Sequence, residues 1–281
     1  FQRAEVEGVP SECQQTNCQN RTLEAMRIQA MFTKRYGQGE RIFFGLHGWS
    51  GDHSTFAPLA RFLPSDAMIV SPDLPGYGQS TPPHEWTLEA LAEELTGEIE
   101  KLDAPVTLLG NCSGALLGLS AMELRPRLAE RINRMVMIDP FAYLPMYFKL
   151  FVMPPFGKYA YLSTFANPVG RWITNLSLKS HRTEETDLTG AFRRVDHQVS
   201  YRYLELLTGI DGIQRWAGLH KPVDIVFGER SFGAIKKSVG IWKGIWPQAR
   251  AFELAGAGHL PILEATEALS RIVFQEKRNK L

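Results

Sequence analysis

One cysteine of this 281-residue chain stands at a spacing that suits a nucleophile. Cys112 lies midway between Gly110 and Gly114, after the apolar run 106–109 and before the helix-forming run 115–124. A nucleophile held at a sharp turn needs small residues two places before and after it, because the strand and the helix approach each other closely there. The helix dipole would favour the thiolate form of the cysteine. Cys112 is therefore a candidate for covalent catalysis.

Two other interpretations of this turn stay open. Free cysteines are among the most frequently buried residues, so Cys112 could be a small core side chain. Ser113 could be the nucleophile, but Asn111 and Ala115 would then occupy the two positions that require small residues, which is a poorer fit. The glycine spacing favours Cys112 and leaves the backbone N–H of Ser113 available for another role.

Alternating strands and helices are predicted around this turn, the pattern of a parallel sheet. Apolar runs predict strands at 42–46, 67–70, 106–109, 134–138, 223–227 and 251–254, and residues 22–39 predict a hairpin that leads into the sheet. Helical periodicity predicts helices at 53–63, 88–102, 115–124 and 235–246, and a terminal helix from about Ile262. Thr87 is the predicted N-cap of the second helix.

The alternation stops after position 140 and resumes near position 217. Residues 141–216 are rich in aromatic residues and proline and then become amphipathic. We interpret them as an inserted helical lid between a first core part, 1–140, and a second core part, 217–281. An aromatic stripe of this kind is more often internal packing than a ligand box, but a lid over the strand ends would make the pocket apolar.

Composition and charge narrow the class of protein. Hydrophobic residues make up 44% and charged residues 22%, which is typical of a globular protein. The net charge of +1 gives no reason to expect nucleic acid or an anionic membrane as partner. Cys13 and Cys18 lack the spacing of a zinc site, and two free thiols are expected there in preference to a small disulfide bridge. The apolar region 143–156 is broken by prolines and a lysine, and the first residues lack a signal pattern, so we expect a cytoplasmic protein without a transmembrane segment.

Four motifs in this order resemble the α/β-hydrolase superfamily. They are the segments 47–49, 73–80, 110–114 and 256–259, which read HGW, DLPGYGQS, GNCSG and GAGH. The resemblance runs from about Leu23 to the end and implies a mostly parallel twisted sheet flanked by helices, with an inserted lid. It also implies acyl-transfer chemistry but does not identify the substrate. The chain is a variant, because a cysteine replaces the usual serine of the elbow.

Roles for further residues follow from the resemblance. His259 is implied as the general base, which a thiol or hydroxyl nucleophile needs within hydrogen-bond reach. The backbone N–H groups of Trp49 and Ser113 are implied as the oxyanion hole. His47 is expected to shape its turn. The other histidines are expected on the surface or in the lid, and they are His53, His84, His181, His197 and His220.

The acid of the triad departs from the common pattern. The superfamily usually places an aspartate where this chain has Ser231. Some relatives, including certain haloalkane dehalogenases, take the acid from the end of the strand after the elbow, where this chain has Asp139. Asp139 is the predicted acid and Glu229 is the alternative. A thiolate–imidazolium pair also depends less on a third group than a serine does, so an acid of minor effect is compatible with the sequence.

Three functions are compatible with these residues. The first is hydrolysis of a small ester or thioester with an apolar acyl part through an acyl-cysteine, without metal or redox cofactor. The second is an acyltransferase or a lactone- or amide-forming enzyme with the same triad. The third is a ligand-binding protein without catalysis. Dehalogenase and epoxide-hydrolase chemistry are excluded, because they require a carboxylate at position 112. If Cys112 replaces a serine of the natural protein, the mechanism would be the same, with an oxygen in place of the sulfur nucleophile.

Overall fold

The computed structural model describes residues 31–210 and 212–275. Within them, seven strands form one sheet in the order β1-β3-β2-β4-β5-β6-β7. The strands are β1 (Thr33–Gly37), β2 (Arg41–Leu46), β3 (Ala67–Pro72), β4 (Val106–Asn111), β5 (Ile132–Ile138), β6 (Val223–Gly228) and β7 (Arg250–Leu254). Every pair of neighbours is parallel except β1 with β3. The predicted α/β fold with a mostly parallel sheet is confirmed.

Helices follow most of the strands. They are α1 (Leu88–Glu100), α2 (Ser113–Leu124), α3 (Pro126–Arg131), α4 (Met146–Leu150), α5 (Gly157–Tyr161), α6 (Pro168–Ser177), α7 (His197–Thr208), α8 (Gly233–Ile245), α9 (Pro261–Glu264) and α10 (Thr266–Val273). Thr87 caps α1 as predicted, since its side chain accepts the N–H of Ala90 at 3.1 Å. Among the described residues, none of the helices combines the length and the apolar character needed to cross a membrane.

Three predicted elements differ from the structure. Residues 53–63 form a 3-10 helix, His53–Phe62, which contains Pro58, and the terminal helix is divided into α9 and α10. The predicted hairpin at 22–39 lies partly outside the described residues. Its described strand, β1, pairs antiparallel with β3, so that Thr33 lies opposite Pro72.

Both faces of the sheet are buried, and each face has its own hydrophobic core. Alternate residues of each strand point to opposite sides. Phe44 and Leu108 belong to a core shared with α1, α2 and α8, whereas Phe43 and Leu109 belong to a core shared with the 3-10 helix and α10. Because helices cover both faces, the carboxyl ends of the parallel strands are the edge where a site can form.

Between β5 and β6 the chain forms α4 to α7, joined by short 3-10 segments and by a π-helix, Leu162–Ala166, that continues α5. The described residues 139–222 add no strand to the sheet. The helical content predicted for this insertion is present, and we call residues 141–216 the cap segment.

Candidate active site

Cys112 occupies a sharp turn between β4 and α2. Its backbone has φ 49° and ψ −117°, a conformation that residues with a side chain rarely adopt. Both flanking glycines are required by close approach. A Cβ atom on Gly110 would lie 2.7 Å from the nitrogen of Ala115, and one on Gly114 would lie 2.6 Å from the carbonyl oxygen of His47. The turn therefore has the geometry that the glycine spacing predicts, and it holds the Cys112 side chain at the carboxyl edge of the sheet.

An imidazole and a carboxylate lie beside this turn. His259, in the loop after β7, is hydrogen-bonded through Nδ1 to Oδ2 of Asp139 at 2.5 Å and lies beside the Cys112 side chain. Partial burial of the ring lowers the pKa of His259, but the hydrogen bond and charge of Asp139 and the interaction with nearby Cys112 outweigh it and raise the pKa from 6.5 to about 10. At neutral pH the imidazolium form of His259 is favoured, so that a positively charged ring lies beside Cys112.

Asp139 is buried at the end of β5 and accepts hydrogen bonds on both oxygens. Oδ1 accepts the N–H of Gly228 at 3.0 Å, and Oδ2 accepts the hydroxyl of Ser231 in addition to the imidazole. Ser231 stands where the superfamily usually has its acid, so this residue now supports an acid supplied by another strand. Asp139 also has a positive φ of 51°, a conformation that residues with a side chain rarely adopt.

Glu229, the alternative acid, is directed elsewhere. Its side chain is exposed, and its Oε2 accepts the N–H of Gly256 at 2.7 Å, in the turn that precedes His259. Of the two carboxylates, the structure brings Asp139 to the imidazole and places Glu229 in the support of the loop.

The two predicted oxyanion donors lie next to each other. The N–H of Trp49 donates to Oγ of Ser113 at 2.8 Å, and the N–H of Ser113 is the first of α2, where N–H groups have no partner within the helix. A Cβ atom on Gly48 would lie 3.1 Å from Cβ of Cys112, so the loop after β2 lies directly against the elbow. The hydroxyl of Ser113 is buried and oriented toward Trp49, which supports a positioning role and not a nucleophilic one.

His47 joins two of the loops around the site. Its buried Nε2 accepts the N–H of Leu74 at 3.0 Å, and Nδ1 therefore carries the hydrogen donated to the carbonyl of Gly48 at 2.8 Å. Burial lowers the pKa of His47, which keeps the ring neutral. His47 thus shapes the turn that leads to Trp49, as the sequence predicted.

Within the described residues, Asp52, His53 and Asp73 form a group with metal-binding side chains, whose donor atoms lie within 4.8 Å of one another. Hydrogen bonds already engage Asp73: Oδ1 accepts the N–H of His53 at 2.6 Å and Oδ2 accepts the N–H of Gln79 at 2.8 Å. The group is explained by support of its loop. His53 was predicted to be a surface or lid residue, but it is half-buried because its ring contacts Asp73 at 2.8 Å.

A glutamate missed by the sequence reasoning connects the cap segment to the histidine loop. Oε1 of Glu264 accepts the N–H of Thr183 at 2.8 Å and the hydroxyl of Thr186 at 2.6 Å, while Oε2 accepts the N–H of Gly258 at 2.5 Å. The N–H of His259 donates to the carbonyl of His181 at 2.8 Å. The histidine loop is therefore held by the cap. No local pattern reveals this, because Thr183 and Thr186 precede Glu264 by 81 and 78 positions.

The aromatic residues of the cap segment divide into two groups. An inner group surrounds the Trp49 ring, with centroid distances of 5.0 Å to Phe165 and 4.8 Å to Phe192, and it also includes Phe148 and Tyr161. Trp49 Nε1 donates to the carbonyl of Ser200 at 2.8 Å. Internal packing, the commoner interpretation of the stripe, describes this inner group. The outer group is exposed.

Known proteins resemble the chain in sequence and in fold. The pimeloyl-acyl-carrier protein methyl ester esterase of Aromatoleum aromaticum is 36% identical over 93 residues, which are 33% of this chain and 34% of that protein. The protein of the same name from Neisseria meningitidis is 27% identical over 133 residues, which are 46% of this chain and 50% of its own length. The matches thus span between a third and a half of these curated relatives.

Among solved structures, the enol-lactonase from Burkholderia xenovorans has a TM-score of 0.70 at 18% identity, over 86% of this chain and 94% of that chain. At this identity the likeness shows the fold alone. Residues 43–272, from β2 to α10, match the family described as the alpha/beta hydrolase family. The chain therefore belongs to the alpha/beta hydrolase family.

Proposed function

We propose that this protein hydrolyses esters or thioesters with a hydrophobic acyl group through a covalent acyl-cysteine intermediate. The observation that carries the proposal is the grouping of Cys112, His259 and Asp139 at the carboxyl edge of the sheet, in which Asp139 holds the imidazole by a hydrogen bond and the imidazole lies beside the Cys112 turn. A nucleophile, a base and an orienting acid in hydrogen-bond contact are the parts that acyl transfer requires.

In the first half of the reaction, the Cys112 thiolate attacks the carbonyl carbon, and the electron pair of the C=O bond moves to the oxygen. The N–H groups of Trp49 and Ser113 stabilise the oxyanion. The N–H of Trp49 also donates to the hydroxyl oxygen of Ser113, which therefore shares this donor with the oxyanion. The tetrahedral species then collapses and expels the alcohol or thiol, which takes the proton of His259. The product is an acyl-cysteine thioester.

In the second half, neutral His259 removes a proton from water, and the resulting hydroxide attacks the thioester carbonyl. Collapse releases the carboxylic acid and restores the Cys112 thiolate beside the imidazolium. Asp139 holds the ring through Nδ1 and stabilises its positive charge in both halves. Because the carboxylate also accepts from Gly228 and Ser231, its position is fixed before the substrate binds.

Aromatic surfaces on both sides of the triad support an apolar acyl group. The inner aromatic group of the cap packs around Trp49, next to the proposed oxyanion hole. On the other side, the rings of Phe232 and Phe141 have their centroids 4.6 Å and 6.1 Å from that of His259. The curated relatives act, by name, on a methyl ester. An ester with an apolar acyl part is the substrate class that agrees with both observations.

The cap segment, residues 141–216, is proposed to act as a lid between the core parts 1–140 and 217–281. Support comes from its contacts with the site, since it supplies the carbonyl that accepts from His259 N–H and the rings that pack on Trp49. A lid in this place would exclude water from the attacking thiolate.

The proposal is tested with p-nitrophenyl esters of acetate, butyrate, octanoate and palmitate and with the corresponding acyl thioesters. We expect release of the leaving group and of free acid, highest for a medium or long chain, and none from Cys112→Ala. Turnover that requires an added alcohol, amine or thiol would favour the acyltransferase instead. Absence of turnover with every donor, together with unchanged ligand binding by Cys112→Ala, would favour the non-catalytic alternative.

A further inference from the structure

The outer face of the cap segment is apolar where a globular protein is usually polar. Helix α6 exposes Val169, Trp172, Ile173 and Leu176, each by more than half of its surface, and none of its residues is buried. These positions follow the spacing of one helical face. On an ordinary surface helix such a face packs against the core. In α6 it points away from the protein.

Two polar residues of α6, Arg171 and Asn175, are less exposed than its apolar residues and are hydrogen-bonded to neighbouring segments. Arg171 donates to the carbonyls of Phe165 and Ala166 at 3.0 Å and 2.8 Å. Oδ1 of Asn175 accepts the N–H of Leu188 at 3.0 Å. The helix is thus fixed by polar contacts that hold its apolar face outward, and the exposure is a built feature of the fold.

The neighbouring elements extend this apolar surface. Of the thirteen large hydrophobic side chains exposed in the described part of the chain, eleven lie between positions 143 and 176. Phe156 is 76% exposed and Tyr159 is 71% exposed. The others outside α6 are Tyr143, Met146, Tyr147, Leu150 and Met153. Proteins seldom expose contiguous apolar patches larger than a few hundred Å² unless the patch contacts a partner.

Charge in the same region has one sign. Between Asp139 and Glu184 the sequence contains no aspartate or glutamate but five lysines and arginines. Lys158 and Lys179 are exposed. Because the whole chain carries only +1, the remainder is net acidic, and the net positive charge of this stretch comes from its lack of acidic residues.

We propose that the outer face of residues 143–176 docks on an anionic lipid bilayer. A surface that exposes tryptophan, phenylalanine and leucine side chains beside lysines, and that has no acidic residue, is suited to lie in the plane of a membrane interface. The exposed side chains come from three helices and two loops, and a fluid acyl phase accommodates them without a matched groove. Negative headgroups complement the lysines. The inference concerns the cap surface alone and holds whether or not Cys112 is catalytic.

The test is flotation of the full chain with phosphatidylcholine vesicles and with vesicles that also contain phosphatidylglycerol. We expect stronger binding to the anionic vesicles and weakening by added salt. The double substitution Trp172→Ser with Ile173→Ser should weaken binding on the order of tenfold, because apolar surface that enters the bilayer supplies the affinity. Lys158→Glu with Lys179→Glu should weaken binding to the anionic vesicles and leave weak binding to phosphatidylcholine unchanged.

The matched control is Leu263→Ser, which removes an equally exposed apolar side chain outside the cap and should bind as the wild type does. Thermal unfolding of each variant separates lost binding from lost folding. Equal flotation of wild type and the Trp172/Ile173 variant, or no binding to anionic vesicles, would overturn the proposal. A dimer in light scattering that the same variant converts to monomer, without vesicle binding, would instead assign the surface to a second copy of the chain.

Discussion

The elbow at Cys112 and the outer cap helix α6 differ in how closely their residues are packed. Residues 113–122 of α2 are all buried, and the backbones around Gly110 and Gly114 leave no space for a side chain. No residue of α6 is buried, and its apolar residues face outward. Crowding therefore dictates residue type at the elbow, whereas the cap surface keeps residues that packing within the described chain does not explain. A large effect of substitution is expected at the first region and a small effect on stability at the second.

Removal of the sulfur at the elbow should have the largest effect. We predict that Cys112→Ala lowers kcat/KM for a p-nitrophenyl ester about 10⁴-fold or more, because the covalent step is lost. Unfolding should change little, since the turn conformation is kept. Steady-state kinetics and thermal unfolding measure both quantities. Residual activity within tenfold of wild type would show that Cys112 is not the nucleophile.

The acid should follow in size of effect. Asp139→Asn is expected to lower kcat on the order of hundredfold, because the amide no longer stabilises the imidazolium. The matched control is Glu229→Gln, for which we expect less than about twofold loss, since Glu229 supports the loop only through a single exposed hydrogen bond. A larger loss in Glu229→Gln than in Asp139→Asn would exchange the two roles.

The contact between His259 and Asp139 predicts that the stability of the protein depends on pH. The pKa of His259 is raised from 6.5 to about 10 in the folded protein, so its contribution is fully present below pH 6.5 and is lost as the pH rises through about 10. The difference in Tm between wild type and Asp139→Asn should therefore shrink across this range. Calorimetry at several pH values tests it, and a difference that grows with pH would contradict the assignment.

Alanine substitutions at two glycines separate the effect of steric crowding on stability from the effect of helix propensity. Gly114→Ala should destabilise the fold by about 2–4 kcal/mol, because its Cβ would lie 2.6 Å from the carbonyl oxygen of His47. Gly97→Ala, in α1, has no heavy atom within 4 Å of the added Cβ and should stabilise by about 0.5–1 kcal/mol. Urea unfolding compares them. Equal effects would mean that the elbow is not crowded.

Substitutions of a buried and of an exposed aromatic residue of the cap should also differ in their cost to stability. Phe165→Ala should cost about 3–5 kcal/mol, because the Phe165 ring packs on Trp49 and Phe192. Trp172→Ser should stay within about 0.5 kcal/mol of wild type, since the side chain is two-thirds exposed. This is the smallest effect expected in unfolding measurements. A cost of several kcal/mol for Trp172→Ser would show that its face is covered.

The sequence predicted the parts that local rules determine. The strands follow from apolar runs, and the turn at Cys112 follows from the glycines, because only glycine permits backbones to approach so closely. The role of Asp139 could be predicted because this residue follows a predicted strand next to the elbow strand. The support that Ser231 gives to Asp139, and the bond from Trp49 to the hydroxyl of Ser113, depend on side-chain orientations that no spacing specifies.

The cap shows where sequence reasoning was insufficient. Periodicity predicts an amphipathic helix but not which face is turned inward, and in α6 the apolar face is the exposed one. The net charge of +1 concealed a basic stretch in an otherwise acidic chain. The connection from Glu264 to Thr183 and Thr186 joins distant parts of the chain and becomes visible only in three dimensions.

The central claim, that Cys112 is the nucleophile, is tested most directly by mass spectrometry. The full chain is mixed with p-nitrophenyl octanoate, quenched in acid and digested. We predict an octanoyl mass on the peptide that contains Cys112, formed far faster than on Cys13 or Cys18, which lie outside the described residues, and slowed strongly in His259→Ala. Absence of the acyl mass at Cys112, or equal labelling of all three cysteines, would contradict the account.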